Sequence, residues 1–298
     1  MKAKYNISIL WAILAAALYA ISSPVSKILL EEIPPTLMAS LLYLGAGIGM
    51  TMIGLFRYKA GKVNHEIKLT KKEFPFIIGM VILDIVAPIF LMLGLTLTTP
   101  ANVSLLNNFE IAATSFIAFF IFKEAISKRL LIGTSLIIIA SIIISVEDIT
   151  SFSFSYGSIC VLLACVCWGF ENNCTRMLSV KDPLQVVIIK GFGSGFGSFV
   201  ISIILKETST NVFYMIGALL LGFVAYGLSI YFYVYAQRDL GAAKTSAYYA
   251  LSPFIGVILS FIFFLALPSI SFLIALLIMI LGTYAVSTVS RRDKYNHR

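Results

Sequence analysis

Charged residues are scarce in this sequence: Asp, Glu, Lys and Arg make up 12% of its 298 residues, while hydrophobic residues make up 59%. Soluble globular domains carry about 25% charged and about 45–50% apolar residues. A chain this poor in charge is not a soluble domain of ordinary composition, which indicates an integral membrane protein. The stretches between its apolar runs are short, and even the longest, residues 57–73, leaves no room for a soluble domain.

Histidine and cysteine are also rare, with two and four residues. His65 and His297 lie outside the apolar runs, which excludes an intramembrane histidine pair, metal site or proton relay. The four cysteines share the run 156–178, and we interpret them as small packing residues that form no disulfide. HExxH and GxSxG motifs are absent, and GAAKTS has Ala243 where a phosphate-binding loop requires glycine. We therefore expect no enzymatic activity, no cofactor and no bound metal.

Long apolar runs make up most of the remaining sequence. Ten runs of about 20 residues recur along the chain, each long enough to cross a hydrocarbon core of about 30 Å as an α-helix. The predicted fold is an all-α integral membrane protein with ten transmembrane helices, numbered here as spans 1 to 10. These spans lie near residues 8–30, 36–56, 74–95, 100–122, 129–146, 156–178, 184–205, 212–235, 242–267 and 271–289.

The basic residues are distributed unevenly between the two sides of this predicted bundle. Of the 22 Lys and Arg residues, 19 lie on the side of the N-terminus, whereas Lys27 and Lys206 lie on the other side and Lys190 lies inside a span. The positive-inside rule then predicts cytoplasmic N- and C-termini in a multi-pass protein of the cell membrane. The net charge of +8 reflects this topology in the lipid bilayer, so no nucleic-acid partner is expected. Lys27 and Arg176, near span ends, are interpreted as head-group anchors.

The chain repeats itself at an interval of about 149 residues, which aligns YAISSPVSK, residues 19–27, with WGFENNCTR, residues 168–176. A shift of 142 aligns ANVSLLNNFE with AKTSAYYALS. The chain is therefore predicted to consist of two halves, residues 1–150 and 151–298, with five spans each. Because five is odd, the second half enters the membrane upside down, which is the inverted-topology repeat of many secondary transporters.

The ten spans, the paired halves and the segments TTPANVSLLNNFEIAATSFIAFFIFKEAIS and DLGAAKTSAYYALSPFIGVILSFIFFLALPSIS resemble the EamA-type branch of the drug/metabolite transporter superfamily. The resemblance covers the whole chain. It implies a central cavity lined by spans 1–4 and 6–9, with spans 5 and 10 peripheral, and export of a small polar metabolite such as an amino acid. The halves differ at two positions: Glu124 corresponds to Ala266, and Lys190 corresponds to Leu42.

Four ionisable residues lie inside predicted spans, where a charge costs on the order of 2.5–3.5 kcal/mol: Asp84, Glu110, Glu171 and Lys190. Glu171 and Lys190 lie roughly 10 Å from the same face of the membrane on consecutive antiparallel helices. An ion pair between them, with Asn172 completing the hydrogen bonds, would offset much of the desolvation cost. Such a pair is either permanent and structural, or opens during transport or binds a charged group of the substrate.

Asp84 and Glu110 each lie ten residues from the start of spans that enter from opposite faces, so both are predicted near the midplane. Two carboxylates at one depth would favour uptake of a proton by one of them, as a proton-coupled carrier requires. In the alternative, one carboxylate faces a water-filled cavity and Asn107, Asn108 or Lys190 holds the other.

Four aromatic residues are candidates for lining a cavity and stacking on a ring or a cation, with interface or core packing as the competing interpretation: Trp168, Tyr226, Tyr248 and Tyr249.

The sequence thus predicts a secondary transporter of a small-molecule substrate that works by alternating access, with or without coupling to protons. The alternatives are an uncoupled uniporter or importer and, from another class, a membrane scaffold or sensor that transports nothing. The oligomeric state is not specified by the sequence.

Overall fold

The computed structural model describes residues 2–59, 69–121, 123, 127–148, 153–178, 181–240, 245, 248–265 and 267–289. Eight helical segments of this part of the chain are long and apolar enough to cross a membrane. They coincide with predicted spans 1 to 8 within a few residues at each end: Asn6–Leu29, Pro35–Lys59, Lys71–Leu97, Pro100–Phe120, Lys128–Ser145, Tyr156–Leu178, Pro183–Ile204 and Val212–Ala236.

The last two predicted spans contain shorter described apolar helices, Ser252–Phe264 and Ile270–Val286. Most of the start of predicted span 9, residues 242–244 and 246–247, lies outside the described residues. Glu124, Ala266 and both histidines also lie outside them.

Thirteen α-helices are described, with a 3₁₀ turn, Lys71–Glu73, before the fourth and a π-helical turn, Gly222–Leu228, between the tenth and eleventh. In chain order they are α1 Lys2–Ala20, α2 Ser22–Leu29, α3 Pro35–Lys59, α4 Phe74–Leu97, α5 Pro100–Leu106, α6 Phe109–Phe120, α7 Lys128–Ser145, α8 Tyr156–Leu178, α9 Pro183–Ile204, α10 Val212–Leu221, α11 Ser229–Leu240, α12 Ser252–Phe264 and α13 Ile270–Val289.

Two short antiparallel strands, β1 Val146–Asp148 and β2 Ser153–Phe154, connect α7 to α8. The described part of the chain is otherwise helical, as predicted, and this short pairing is an addition that the sequence did not indicate. The pairing begins where the amide of Ser155 donates to the carbonyl oxygen of Ser145 at 2.8 Å, so the chain reverses direction directly after α7.

Short polar side chains fix the beginnings of several helices. Thr99, Ser127, Asp182 and Asn211 each accept a hydrogen bond from a backbone amide two or three residues later, at the starts of α5, α7, α9 and α10. These bonds satisfy amides that have no partner inside the helix, which matters most in a membrane because lipid offers no substitute.

Span 4, predicted as one continuous helix, is broken at Asn107 and Asn108, between α5 and α6. Backbone hydrogen bonds there join residues three apart instead of four. The amide of Glu110, for example, donates to the carbonyl oxygen of Asn107 at 3.2 Å. The Asn108 side chain donates to the carbonyl of Leu105 at 3.3 Å and so competes with the helical pattern. Span 1 is similarly broken at Ile21, three residues before Pro24.

The most extensive helix contacts pair α4 with α8, α3 with α9, and α7 with α13; α1 packs mainly on α11 and α5 on α12. Glycines allow the closest of these approaches. A Cβ on Gly191 would lie 2.5 Å from the backbone nitrogen of Gly47, and one on Gly222 would lie 2.0 Å from the carbonyl oxygen of Leu42. Small residues let helix backbones touch in this way in membranes.

Lys27 makes contacts within the protein that its interpretation as a head-group anchor did not include. Its Nζ atom donates to the carbonyl oxygens of Leu95 at 2.5 Å, Thr96 at 3.3 Å and Thr98 at 3.1 Å. These are carbonyls at the C-terminal end of α4 that lack helical partners, and a cation there also opposes the negative end of the helix dipole. Lys27 therefore caps α4.

Candidate functional site

Asp84 is the most enclosed charged residue of the bundle, fully buried halfway along the span Lys71–Leu97. Its Oδ1 atom accepts hydrogen bonds from the Tyr43 hydroxyl at 2.9 Å and from the Trp168 indole at 3.2 Å. Its Oδ2 atom lies 3.0 Å from Nζ of Lys190 and has no further hydrogen bond to a described residue. The ammonium of Lys190 therefore provides the counter-charge of Asp84.

Lys190 also contacts the carboxylate of Glu171, with 3.0 Å between Nζ and Oε1. The predicted contact between Glu171 and Lys190 is therefore confirmed, although Asp84 is a third member that the pairing argument did not include. Asn172 was expected to complete the hydrogen bonds of this pair, but its amide donates to Glu110 instead. Glu171 is 2% exposed, and its Oε1 atom also accepts a hydrogen bond from the hydroxyl of Thr175. Burying this lysine is tolerable because its charge is balanced at short distance.

One ammonium serves two carboxylates in this cluster of Asp84, Glu171 and Lys190, which we call the ionic cluster. With all three groups ionised the cluster carries one net negative charge. Such a charge is costly away from water, so a proton or another cation would stabilise the ionic cluster.

Glu110 lies halfway along the span Pro100–Phe120, at the start of α6. Its Oε1 atom accepts a hydrogen bond from the Asn172 amide at 2.6 Å, and the same amide nitrogen lies 3.3 Å from the Thr114 hydroxyl. Within the described part of the chain, no hydrogen bond or ion pair joins Glu110 to Asp84. Each carboxylate lies halfway along its span, but the two have different partners, because position along a helix does not fix how that helix is rotated.

Asn107 and Asn108, at the break in span 4, have different environments. Asn108 is fully buried, and its Oδ1 atom lies 3.4 Å from the hydroxyl of Thr283 on α13, which gives it a structural role. The buried Oδ1 atom of Asn107 accepts no hydrogen bond from a described residue.

Tyr248 does not join the ionic cluster. It packs against the small cluster of Ala12, Ala236 and Leu240, where α1 meets α11. The next residue, Tyr249, instead belongs to a group of rings on spans 1, 2, 8 and 9. We call this group, Tyr19, Tyr43, Tyr226, Tyr233 and Tyr249, the tyrosine cluster.

The rings of the tyrosine cluster pack edge to face or tilted. Centroid distances are 5.7 Å for Tyr19 and Tyr226, 5.9 Å for Tyr19 and Tyr249, 5.3 Å for Tyr43 and Tyr226, and 5.0 Å for Tyr233 and Tyr249. Because Tyr43 donates to Asp84, the tyrosine cluster is continuous with the ionic cluster.

Sequence reasoning missed three residues of these clusters: Tyr43, which bonds Asp84, Thr175, which bonds Glu171, and Tyr19 of the tyrosine cluster. Tyr43 was the hardest to find, since a single tyrosine in an apolar run has no pattern that distinguishes it from packing. A usable signal was its position beside Leu42, the residue that corresponds to Lys190 in the repeat. Within the ranges described, no three His, Cys, Asp or Glu residues are grouped so that they could hold a metal ion.

Comparison with known proteins shows the family of the chain that carries these intramembrane charges. The EamA-like transporter family matches the chain twice, at residues 6–146 and 155–288. The chain belongs to the EamA-like transporter family. This protein is thus a membrane transporter and not an enzyme, as the resemblance of its sequence implied.

Two relatives and one solved structure give the extent of the similarity. An uncharacterized transporter of Methanothermobacter thermautotrophicus is 26% identical over 266 residues, covering 84% of this chain and 77% of that protein. The uncharacterized transporter YyaM of Bacillus subtilis is 27% identical over 214 residues, covering 68% of this chain and 69% of that protein. A crystal structure of a protein with 17% sequence identity aligns with a TM-score of 0.67 over 96% of this chain and 98% of that one, which shows a shared fold.

Proposed function

We propose that this EamA-like protein is a secondary transporter that exports a small polar metabolite, such as an amino acid, from the cell by alternating access. The observation that carries the proposal is the ionic cluster, which joins the two halves of the chain inside the membrane. Asp84 belongs to residues 1–150, whereas Glu171 and Lys190 belong to residues 151–298. A contact of this kind changes whenever one half moves against the other.

The pattern of helix contacts supports two inverted halves of five spans each. Exchanging span n with span n + 5 converts the contact of α4 with α8, spans 3 and 6, into that of α1 with α11, spans 1 and 8. The contacts of spans 2 with 7, 4 with 9 and 5 with 10 each map onto themselves. The double match to the EamA-like family agrees with this division. Ten spans with both termini in the cytoplasm complete the proposed topology.

The ionic cluster also suggests how the movement is coupled to protons. Glu171 and Lys190 both belong to the second half, so they remain partners when the halves separate. Asp84 would then lose its counter-charge in a site of low dielectric, where an isolated carboxylate is strongly disfavoured. Uptake of a proton by Asp84 would restore neutrality and allow the movement. Glu110, whose partner is the neutral amide of Asn172, is the second proton-binding candidate.

Flux from proteoliposomes tests this proposal. Vesicles containing the purified protein are loaded with amino acids, nucleosides, vitamins and organic cations, and the contents are followed by mass spectrometry with and without a pH gradient. We expect selective loss of one class of solute, accelerated by the gradient. Asp84→Asn and Glu110→Gln should remove the acceleration, because neither amide takes up a proton at the pH of the assay.

Glu32→Gln is the matched control, because Glu32 is an exposed carboxylate outside the spans. It should transport as the unmodified protein does. Normal gradient dependence in both site variants would instead favour an uncoupled uniporter or importer. No selective flux from folded protein, whatever the solute, would favour a scaffold or sensor.

A further inference from the structure

We propose that the transported solute is an organic amine that enters the site as a cation, with its ammonium on Glu110 and its apolar body against Tyr19 and Tyr249. This inference rests on the proposed transport function and assigns its substrate class. Glu110, the tyrosine cluster and the breaks in the helices carry it together.

The ionisable side chains inside the spans include more carboxylates than ammonium groups. Among the described residues in the middle of the spans, the carboxylates of Asp84, Glu110 and Glu171 face a single ammonium, that of Lys190. The lysine is held by Asp84 and Glu171, whereas the hydrogen-bond partner of Glu110 is the amide of Asn172. An anionic substrate would add to this excess of negative charge, whereas a cation reduces it.

Glu110 is also more accessible than the other two carboxylates. Asp84 and Glu171 are buried, whereas Glu110, halfway along its span, and its partner Asn172 are only partly buried. Glu110 is therefore the least enclosed of the three carboxylates, and it takes no part in the ionic cluster. A carboxylate that accepts hydrogen bonds from an ammonium forms one of the stronger polar contacts in proteins.

Aromatic rings lie near the segment that contains Glu110. A Cβ on Gly256 would lie 2.8 Å from the Ser104 hydroxyl oxygen on α5 and 3.3 Å from the carbonyl oxygen of Ala20, the residue after Tyr19. The ring centroids of Tyr19 and Tyr249 are 5.9 Å apart, and both residues are partly exposed. The faces of aromatic rings attract cations, and several rings around one position are a recurrent way to bind an ammonium group. An amine bound there would contact both a negative charge and ring faces.

The helix breaks lie beside these residues. Tyr19 precedes the break at Ile21, and Glu110 follows the break at Asn107 and Asn108. In transporters, breaks of this kind near the membrane midplane expose backbone carbonyls and mark substrate or ion sites. Asn107 contributes an acceptor atom, Oδ1, that has no donor among the described residues, which suits a ligand with N–H groups.

Three probes of similar size and different charge test the substrate class. Phenethylamine is a cation at neutral pH, 2-phenylethanol is neutral and phenylacetate is an anion. Binding to the purified full-length protein in detergent is measured by isothermal titration calorimetry. We expect phenethylamine to bind at least about tenfold more tightly than the other two, as a charged hydrogen bond implies. Equal binding of the three, tighter binding of phenylacetate, or no binding of phenethylamine would overturn the proposal.

Substitutions locate the binding site. Glu110→Gln should weaken phenethylamine binding by about tenfold or more and leave 2-phenylethanol unchanged. Tyr19→Leu should weaken it by about fivefold, while Tyr19→Phe, which keeps the ring, should bind as the unmodified protein does. Glu32→Gln controls for general loss of negative charge. If Glu110→Gln does not fold, the preference of the unmodified protein among the three probes and the Tyr19 pair still decide the outcome.

The binding measurement is independent of flux, so the two proposals can fail separately. Selective binding of phenethylamine without flux of any solute would support the amine site and reject the transport function. Flux of neutral or anionic solutes without phenethylamine binding would keep the transporter and reject the amine.

Discussion

Lys190 illustrates at the scale of a residue how one side chain can hold two parts of a membrane protein together. It contacts Asp84 and Glu171 at 3.0 Å each, from the first and second halves of the chain. One carboxylate is enough to balance the charge of Lys190, so the second contact leaves one excess negative charge in the ionic cluster. The site is therefore sensitive to any change in the number of charges.

Lys190→Met should destabilise the protein strongly, by roughly 3–5 kcal/mol, because it leaves two buried carboxylates without a counter-charge. Adding Asp84→Asn should recover part of this loss, because the double variant has one buried carboxylate fewer. Thermal unfolding of the purified proteins in detergent measures both effects. Equal stability of the single and the double variant would mean that Asp84 does not depend on Lys190.

The position of each of these charged residues along its span could be predicted from the sequence. The side of the helix on which each residue lies could not. Counting residues from the span ends predicted the contact of Glu171 with Lys190, because two charges at one depth on consecutive helices have few other partners. The same counting placed Asp84 and Glu110 at the midpoints of their spans and left open whether they interact with each other or whether Lys190 holds one of them; Lys190 holds Asp84. An error of one residue in register rotates a side chain by about 100°, so partners across three or four helices need coordinates.

At the scale of the helix, glycine positions determine how closely the bundle packs. A Cβ on Gly222 would lie 2.0 Å from the backbone oxygen of Leu42, whereas one on Gly217, on α10, would lie 3.3 Å from the flexible end of Leu29. Gly222→Ala should therefore lower the thermal stability clearly because α3 must move away. Gly217→Ala should be neutral or slightly stabilising, because alanine is the better helix former. Similar unfolding temperatures for the two variants would contradict this close contact.

The C-terminal end of α9 offers a stabilising substitution. Lys206 has a φ of 58°, the amide of Lys206 donates to Ile203, and the amide of Glu207 donates to Ser202. This pattern is the Schellman motif, in which glycine is preferred at the left-handed position. Lys206→Gly should raise the stability by about 1 kcal/mol. Lys206→Ala, which removes the charge but keeps the Cβ, should give no comparable gain in a thermal unfolding assay.

Among the features of the helices, the presence of the spans was the easiest to predict from the sequence. The breaks within the spans were the hardest to predict. Runs such as residues 156–178 were assigned to within a few residues because a membrane requires a minimum apolar length. The break in span 4 could not be predicted in the same way, since asparagine occurs in continuous helices as well. It depends on which carbonyl the Asn108 side chain reaches, here that of Leu105.

For the whole molecule, the proposed inversion of the halves makes a prediction about sides of the membrane. A reporter fused after residue 298 should lie in the cytoplasm, and one fused after residue 150 should lie outside, because five spans precede it. Green fluorescent protein and alkaline phosphatase fusions distinguish these locations in a bacterial host, the first being fluorescent inside and the second active outside. The same reporter result at both positions would contradict an odd number of spans in each half.

The imbalance of three carboxylates against one ammonium also has an electrical consequence. Moving one elementary charge across a potential of 100 mV changes the free energy by about 2.3 kcal/mol. With every group ionised, the empty site carries two net negative charges, and each proton or ammonium that binds removes one. In the proposed alternating-access cycle, the site would move within the membrane field when it changes its access from one side to the other. The occupied and empty forms should therefore respond differently to voltage, and the membrane potential would contribute to driving the cycle.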